Sequence, residues 1–280
     1  GILASALGLP GKPPVSFAVI GDAPLSELDV GMSFDVDNQR IVNGIVSLRD
    51  VEEGLKANAS LSGPIGKLLP PGQRALFGEN SDLEAELIVL DVGGIHLKQS
   101  NITSGAVKLS ASAKTTTDGF LSALNVKGGL NSSEGERIII PSETGDQTIQ
   151  SASIDINYDA LRQNTWGGKF VISDFINSDI SFGSIGIDAF GTVLNPDDKN
   201  TREISFDIDG KIAQILAKDH AVTEALGREI DLQFDGDWSA GNPLKISRLN
   251  ILGETYKMLA NGLYAQNAFD GQISLQAENL

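Results

Sequence analysis

Two pairs of aspartates have the spacing that could support chemistry. Asp207 and Asp209 lie two residues apart in EISFDIDG, and Asp235 and Asp237 lie two apart in EIDLQFDG. Residues two apart on a strand share one face, so each pair could ligate Ca²⁺ or act as an acid–base pair. The alternating Ile and Phe residues around them favour the solvated face of an amphipathic strand instead. We therefore predict neither a metal site nor catalytic carboxylates here.

Two histidines are the other candidates for catalysis. His96 lies in the predicted strand GGIHLKQ, and His220 lies in AKDHAV, a predicted helix. The sequence has no cysteine, no Ser-x-Gly elbow beside either histidine, and no GxGxxG or GxxxxGKS phosphate loop. Asp197 and Asp198, in NPDDKN, are typical of a hairpin turn. Both histidines are predicted to be ordinary surface residues, and we expect a non-enzymatic protein without a cofactor.

Charge and composition exclude some functional classes and favour a folded protein. The 280 residues carry 37 acidic and 21 basic side chains, a net charge of -16, which argues against binding nucleic acid. Hydrophobic residues make up 41% of the chain, as in a folded protein. No apolar run approaches the ~20 residues that span a bilayer. The chain begins inside an apparent helix and ends without a polar tail, so we expect an internal fragment of a longer protein.

Strand patterns dominate the sequence. Apolar and polar residues alternate with a period of two, which indicates strands with one buried and one wet face. Turn sequences follow at meander-like spacing. The clearest alternating segments are SIDINYD (153–159), SIGIDAFG (184–191), EISFDIDG (203–210), EIDLQFDG (229–236) and GQISLQAE (271–278).

Helical signals are few and short. An apolar segment near residues 2–7 is closed by Gly8, and a second lies within 64–78, interrupted by Pro70 and Pro71. The longest predicted helix covers 211–227. Its expected apolar stripe comprises Ile212, Ile215, Leu216 and Leu226.

The chain also resembles itself. Without a gap, Gly78 aligns with Gly227, and the match continues 149 positions apart through Lys108 and Lys257 to the segment ending at Leu275. We predict one elongated β-rich segment over 1–280, with internal repeat units at approximately 55–130 and 202–279. Repeated units of this kind stack neighbour on neighbour and give an elongated sheet.

A curled sheet with all its apolar residues on one side would enclose an apolar trough. Three short helices are too few to cover it, so the alternatives are a dry core against a second sheet or a groove that holds an apolar ligand. Aromatic residues are only 6% of the chain, which favours acyl chains over glycans. The candidate lining residues are Phe17, Val19, Leu87, Val89, Ile154, Ile156, Ile187, Ile204, Phe206, Ile208, Leu232, Phe234, Ile273 and Leu275.

The segment LASALGLPGKPPVSFAVIGDAPLSEL (3–28) combines a short apolar helix, the pattern L-P-G-x-P-P, an alternating strand and the pattern G-x-x-P-L-S. It resembles a recurring element of the TamB family, the inner-membrane-anchored subunit of the translocation and assembly module of Gram-negative bacteria. The following segment LKANASLSGPIGKLLPPGQRALFG (55–78) continues the similarity. The resemblance covers roughly residues 1–130 and reaches the remainder through the repeat. Its motifs have no catalytic content.

The resemblance implies an AsmA-like, bridge-type lipid transfer protein of the periplasm, whose full-length form is anchored in the inner membrane. The expected fold is mainly β, an elongated, curled antiparallel sheet forming an open groove (a β-taco or half-pipe) with a few short amphipathic helices. Its ligands would be phospholipid acyl chains moving between the inner and outer membranes during outer-membrane biogenesis. Its partner would be an outer-membrane barrel of the Omp85 type (TamA-like), reached through the full-length protein.

Two other functions stay open from the sequence. One is chaperone-like β-augmentation of outer-membrane or autotransporter proteins, in which an exposed edge strand pairs with a client strand during assembly and secretion. The other is a structural β-solenoid with a dry core.

Overall fold

The structure is a computed structural model that describes residues 13–24, 26–69, 74, 76–132, 136–140 and 147–277. These residues form 19 strands in one sheet, and the fold is mainly β as predicted. In this described part of the chain, no helix is long and apolar enough to cross a membrane. The predicted helix near residues 2–7, and Pro70 and Pro71, lie outside the described residues.

The long strands fall into four sets of four along the chain. The first set is β1 Val15–Ile20, β2 Glu27–Val36, β3 Gln39–Val51 and β4 Gly54–Gly63. The second set is β5 Ser81–Leu90, β6 Ile95–Ser104, β7 Val107–Thr115 and β8 Leu121–Asn131. The third set is β11 Ser151–Asp159, β12 Gln163–Ile176, β13 Ile180–Leu194 and β14 Glu203–Ala213. The fourth set is β16 Glu229–Ser239, β17 Leu244–Gly253, β18 Tyr256–Ala265 and β19 Ala268–Ala277.

A longer connection separates each set from the next. The first contains a 3₁₀ turn at Ile65–Leu68. The second contains the short strands β9 Ile138–Ile140 and β10 Gln147–Ile149. The third contains β15 Leu216–Ala217 and the helix α1 His220–Leu226. All three connections lie at the same end of the strands, which we call the insertion end, and the opposite end (the turn end) carries only turns between neighbouring strands.

Every strand pairing is antiparallel, and the long strands follow one another as an open meander. Among the described strands, β1 pairs only with β2 and β19 only with β18, so the sheet does not close into a barrel. Sixteen strands at about 4.8 Å spacing span roughly 72 Å, whereas a ten-residue strand is only about 33 Å long. The sheet is therefore elongated across its strands.

The two predicted repeat units share one order of elements. Each contains one strand, a connection with helical residues and then four strands, β4 to β8 in one unit and β14 to β19 in the other. Two β-bulges also coincide 149 positions apart, after Glu86 and Asp235 and again after Leu97 and Ile246, whereas the irregularity after Lys114 has no counterpart between β18 and β19. Bulges are specific features of a strand pair, so this agreement supports two copies of one structural unit. Descent by duplication stays a prediction.

The predicted helix over 211–227 is wrong in its first half. Residues up to Ala213 continue β14, and Ile212 lies opposite both Ile185 and Ile230 on neighbouring strands. These pairings override the helical spacing of the apolar residues. The helix begins only at His220, where the Asp219 side chain accepts a hydrogen bond of 2.9 Å from the backbone N–H of Ala221.

Fully buried apolar residues are scarce in the described chain. The one cluster of them contains Ala106, Ile138 and Ile149, at the insertion end between the second and third sets. Leu130, Ala152, Ile172 and others pack against it in part. Stability therefore rests mainly on strand pairing and half-buried side chains rather than on a thick core.

Candidate functional site

All fourteen candidate residues lie on one face of the sheet. Residues directly opposite one another in an antiparallel pair share a face, so the register carries the assignment from strand to strand. Ile154 lies opposite Phe170, and Phe170 lies opposite Ile187. The same reasoning connects every strand from β1, with Phe17, to β19, with Leu275. We call this the apolar face and the opposite side the polar face.

The apolar face is covered only in part. Its side chains are mostly half-buried from β2 to β18, although no second sheet covers them among the described strands. On the outermost strands they are open to solvent: Phe17 is 53% exposed and Ile273 is 65% exposed. An outermost strand has a neighbour on one side only, which accounts for this exposure. The curl of the sheet toward its apolar face is indicated instead by a contact between two distant turns, Asp118 with Arg202, and the concave apolar surface is the candidate site.

A contact between two turns covers the apolar face at the turn end. The β11–β12 hairpin lies between the β7–β8 and β13–β14 turns, so the centres of these two turns would be four strand spacings, about 19 Å, apart in a flat sheet. Yet Nη2 of Arg202 donates a hydrogen bond of 2.8 Å to Oδ2 of Asp118, and its Cζ lies 3.8 Å from the centre of the Phe120 ring. We call these three residues the clasp. Arg202 also donates a bond of 2.6 Å to the carbonyl oxygen of Pro196.

The clasp holds one carboxylate in its charged form. Hydrogen bonds from the Thr116 hydroxyl and from Arg202 lower the pKa of Asp118 to about 2. The guanidinium of Arg202 is buried, with 8% of the residue exposed. A buried guanidinium requires such a partner because removing its charge from water is unfavourable.

Asp118→Asn is expected to destabilise the protein at neutral pH and to lose that effect in acid. Because the pKa of Asp118 is lower in the folded than in the unfolded chain, its contribution to stability is present above pH ~4 and disappears as the pH falls through about 2. Urea unfolding of both proteins between pH 7 and pH 2.5 or so measures this difference. If the two proteins differ in their free energy of unfolding by the same amount at both ends of this pH range, the charged Asp118 does not stabilise the fold through the clasp.

Two aromatic residues of the apolar face lie beside the clasp. Tyr158 is 8% exposed, and its pKa is raised by burial and by the carboxylate of Asp197. The indole N–H of Trp166 donates a hydrogen bond of 3.1 Å to the carbonyl oxygen of Ser205, two strands away. It passes over Gly191, where an added Cβ would lie 2.7 Å from the indole nitrogen. This corner of the apolar face is thus closed by rings and by the β13–β14 turn.

The polar face carries cross-strand ion pairs. Nζ of Lys127 lies 3.2 Å from a carboxylate oxygen of Asp155, and Lys169 lies 3.3 Å from Asp188 on the next pair of strands. Exposed pairs of this kind contribute about 0–1 kcal/mol each. Their main consequence is that the convex side stays hydrated and unsuited to an apolar ligand.

The aspartate pairs of the sequence lie on this polar face. Asp207 is directly opposite Asp235, and Asp209 is opposite Gln233. Arg248 forms an ion pair with Asp235 and has a raised pKa because of it. Within the described ranges, no group of three or more His, Cys, Asp or Glu side chains could hold a metal ion.

The histidines occupy separate places in the fold. His96 is half-buried on the polar face opposite Lys114, and burial together with Lys114 and Lys98 lowers its pKa. His220 is the exposed first residue of α1, and its Nδ1 lies 3.3 Å from Oε1 of Glu224. Within the ranges that the structure describes, neither histidine forms a hydrogen bond with a serine or threonine hydroxyl.

Shallow depressions of 280–560 Å³ also lie on the polar face. Polar and apolar side chains are mixed in their linings, and one of them contains Asp188, Asp209 and Asp231. Each of them covers only a few neighbouring strands, whereas the apolar face continues across all the long strands, so the apolar face remains the candidate.

Sequence reasoning missed the clasp. Arg202 and Asp118 are 84 residues apart and lie in turns, where no periodic pattern signals a tertiary contact. The available signal was an arginine that follows two aspartates in the turn NPDDKNTR. Trp166 and Tyr158 fit the strand alternation and could have joined the predicted lining.

Comparisons with known proteins add no relative. No family model, no curated protein and no solved structure matches this chain.

Proposed function

We propose that this chain is a non-enzymatic carrier segment whose concave apolar face shields the acyl chains of phospholipids. The observation that carries the proposal is the register: the long strands place most of their large apolar residues on the same side of an open sheet, whereas Ile88, Phe190 and Leu252 are among those on the other side. A sheet of about 72 by 33 Å has a face of roughly 2,400 Å², far above the few hundred Å² that monomers usually leave bare.

The dimensions of the face suit such a ligand. Half of a bilayer's hydrocarbon core is about 15 Å thick, so one acyl chain is shorter than a ten-residue strand of about 33 Å. Each buried CH₂ contributes about 0.8 kcal/mol, and no directional contact is needed. A lipid could therefore move along the face without passing a strong binding site, while its head group stays in water at the turn end or the insertion end.

The wider setting is also part of the proposal. The resemblance to the TamB family supports a periplasmic location, a full-length protein anchored in the inner membrane, and an outer-membrane barrel partner of the Omp85 type. Transport between the two membranes would then follow from the continuity of the apolar face.

The two alternatives receive unequal support. Every described pairing is antiparallel, whereas a β-solenoid stacks its strands in parallel coils, so nothing in these strands favours a solenoid. Chaperone-like β-augmentation has one observation in its favour: among the described strands β19 pairs only with β18, and each of its side chains is exposed.

Lipid bound to the purified chain tests the proposal. We expect native mass spectrometry of gently purified protein to show phospholipid adducts. Extraction of the same sample should recover at least as much phospholipid as these adducts account for. A photoreactive acyl probe should label the apolar face, for example Phe206 and Phe234, in preference to the polar face. A protein without lipid, labelled equally on both faces or not at all, would contradict an acyl carrier.

A further inference from the structure

Both tryptophans and most of the tyrosines lie at one end of the apolar face. The chain contains two tryptophans and three tyrosines. Trp166 lies opposite Tyr158 beside the β11–β12 turn. Trp238 is the penultimate residue of β16, and Tyr264 is the penultimate residue of β18. The register places these four rings, which we call the aromatic row, on the apolar face close to the turn end.

The third tyrosine lies at the insertion end and has an internal packing partner. Tyr256 is the half-buried first residue of β18. Its ring lies against Gly253 of β17, where an added Cβ would be 2.3 Å from a ring carbon. The ring thus fills the space that the glycine leaves, and this contact accounts for its position.

The insertion end of the apolar face is closed by apolar side chains. Ile149 in the second connection and Ile215 in the third are each 0% exposed. Leu76 in the first connection packs against the cluster around Ile149, together with Leu130 and Ile172 of the apolar face. A strand of this face therefore runs from aromatic rings beside open turns to a closed apolar end.

One polar group of the aromatic row lacks a partner. The Tyr158 hydroxyl is buried and forms no hydrogen bond within the described part of the chain. Buried hydroxyls are rarely left in this state, because the loss of their bonds to water is unfavourable. The ester carbonyl oxygens of a phospholipid lie at the boundary between head group and acyl chains, and they are acceptors of the kind that this hydroxyl lacks.

We propose that bound phospholipids lie along the strands with their head groups at the turn end and their acyl chains directed toward the insertion end. This inference rests on the proposed function and adds the orientation of the ligand. Tryptophan and tyrosine combine an apolar ring with a polar atom, so they are favoured where hydrocarbon meets water. The aromatic row marks that boundary on the apolar face. In the reverse orientation, a charged phosphate would lose water against the apolar closure around Ile149 and Ile215.

The two natural tryptophans report the orientation without any substitution. The chain would be loaded from vesicles with phosphatidylcholine that carries a nitroxide either on the head group or near the methyl end of one acyl chain. Gel filtration then separates the loaded chain from the vesicles. We expect the head-group nitroxide to quench tryptophan fluorescence several-fold more strongly per bound lipid, because nitroxides quench only at short range and both indoles lie at the turn end.

A tryptophan at the insertion end supplies the matched control. Tyr256→Trp combined with Trp166→Phe and Trp238→Phe moves the indole to the other end of the same face, and the order of quenching should reverse. The measurement on the unmodified chain decides the orientation even if this variant does not fold.

The outcomes separate the orientation from the proposed function. If lipid co-elutes with the unmodified chain but the chain-end nitroxide quenches as strongly as the head-group nitroxide, or more strongly, the orientation is wrong and the acyl carrier stands. If no nitroxide lipid co-elutes with the chain, the proposed function is wrong and the orientation falls with it.

Discussion

Ile156→Asp is expected to lower the binding of acyl ligands at least tenfold. Ile156 lies on the apolar face of β11, between Val126 on β8 and Gly168 on β12. An aspartate is too short to reach water past its neighbours, so an acyl chain crossing this point would desolvate an unpaired carboxylate. A tenfold loss corresponds to about 1.4 kcal/mol, a modest fraction of that penalty. Retention of a fluorescent phospholipid from vesicles measures the effect.

The adjacent residue supplies the matched control. Asn157 is exposed on the polar face of the same strand, so Asn157→Asp adds the same charge and nearly preserves the side-chain shape. We expect unchanged lipid retention in this variant. Circular dichroism and urea midpoints of both variants would show whether the sheet is intact. If Ile156→Asp folds and retains lipid as well as Asn157→Asp does, acyl chains do not use the apolar face.

Ile149→Ala is expected to produce the largest local loss of stability, about 2–5 kcal/mol. Ile149 is fully buried in the cluster with Ala106 and Ile138, and the half-buried residues around it are held by their own strands. The cavity would therefore close only in part. Hydrogen exchange of the β9–β10 pair and of neighbouring β12 amides measures this loss directly.

An equivalent substitution on the open margin should have a small effect. Ile273→Ala removes the same atoms from a side chain that is already 65% exposed, so we expect a change of about 0.5 kcal/mol or less. Equal losses at Ile149 and Ile273 would mean that the apolar face is buried to the same degree at its margin and in the cluster, and would contradict the open sheet.

Strand alternation in the sequence predicts both the fold class and the face on which each candidate residue lies. The five quoted segments lie in strands as far as the structure describes them, up to Ala277, and the fourteen candidate residues share one face, because a period of two leaves no choice once each strand is paired. The same reasoning failed at residues 211–217. There, apolar residues at Ile212, Ile215 and Leu216 have helical spacing, but the neighbours of β14 provide partners for an extended chain.

The clasp and the curl of the sheet lay beyond the sequence for a different reason. The Asp118–Arg202 contact depends on how far two turns lean over the hairpin between them, and that is set by the twist and curvature of strands elsewhere in the sheet. The alternation of apolar and polar residues predicts that one face is apolar. It does not predict how strongly the sheet curves around that face, because the curvature depends on all the assembled strands.

Each long strand of the meander exchanges its backbone hydrogen bonds only with its immediate neighbours, and the sets repeat at a spacing of four strands. Folding of such an array is a chain of nearest-neighbour steps, so we expect its ends to melt before its centre. Because each strand contacts only its neighbours, the length of the sheet can also change without disturbing the rest. Gaining or losing one set changes the array by about 19 Å and leaves every remaining junction as it was. The number of sets can thus match the length of the sheet to a gap of fixed width between two structures. Such a change requires no new kind of contact between strands.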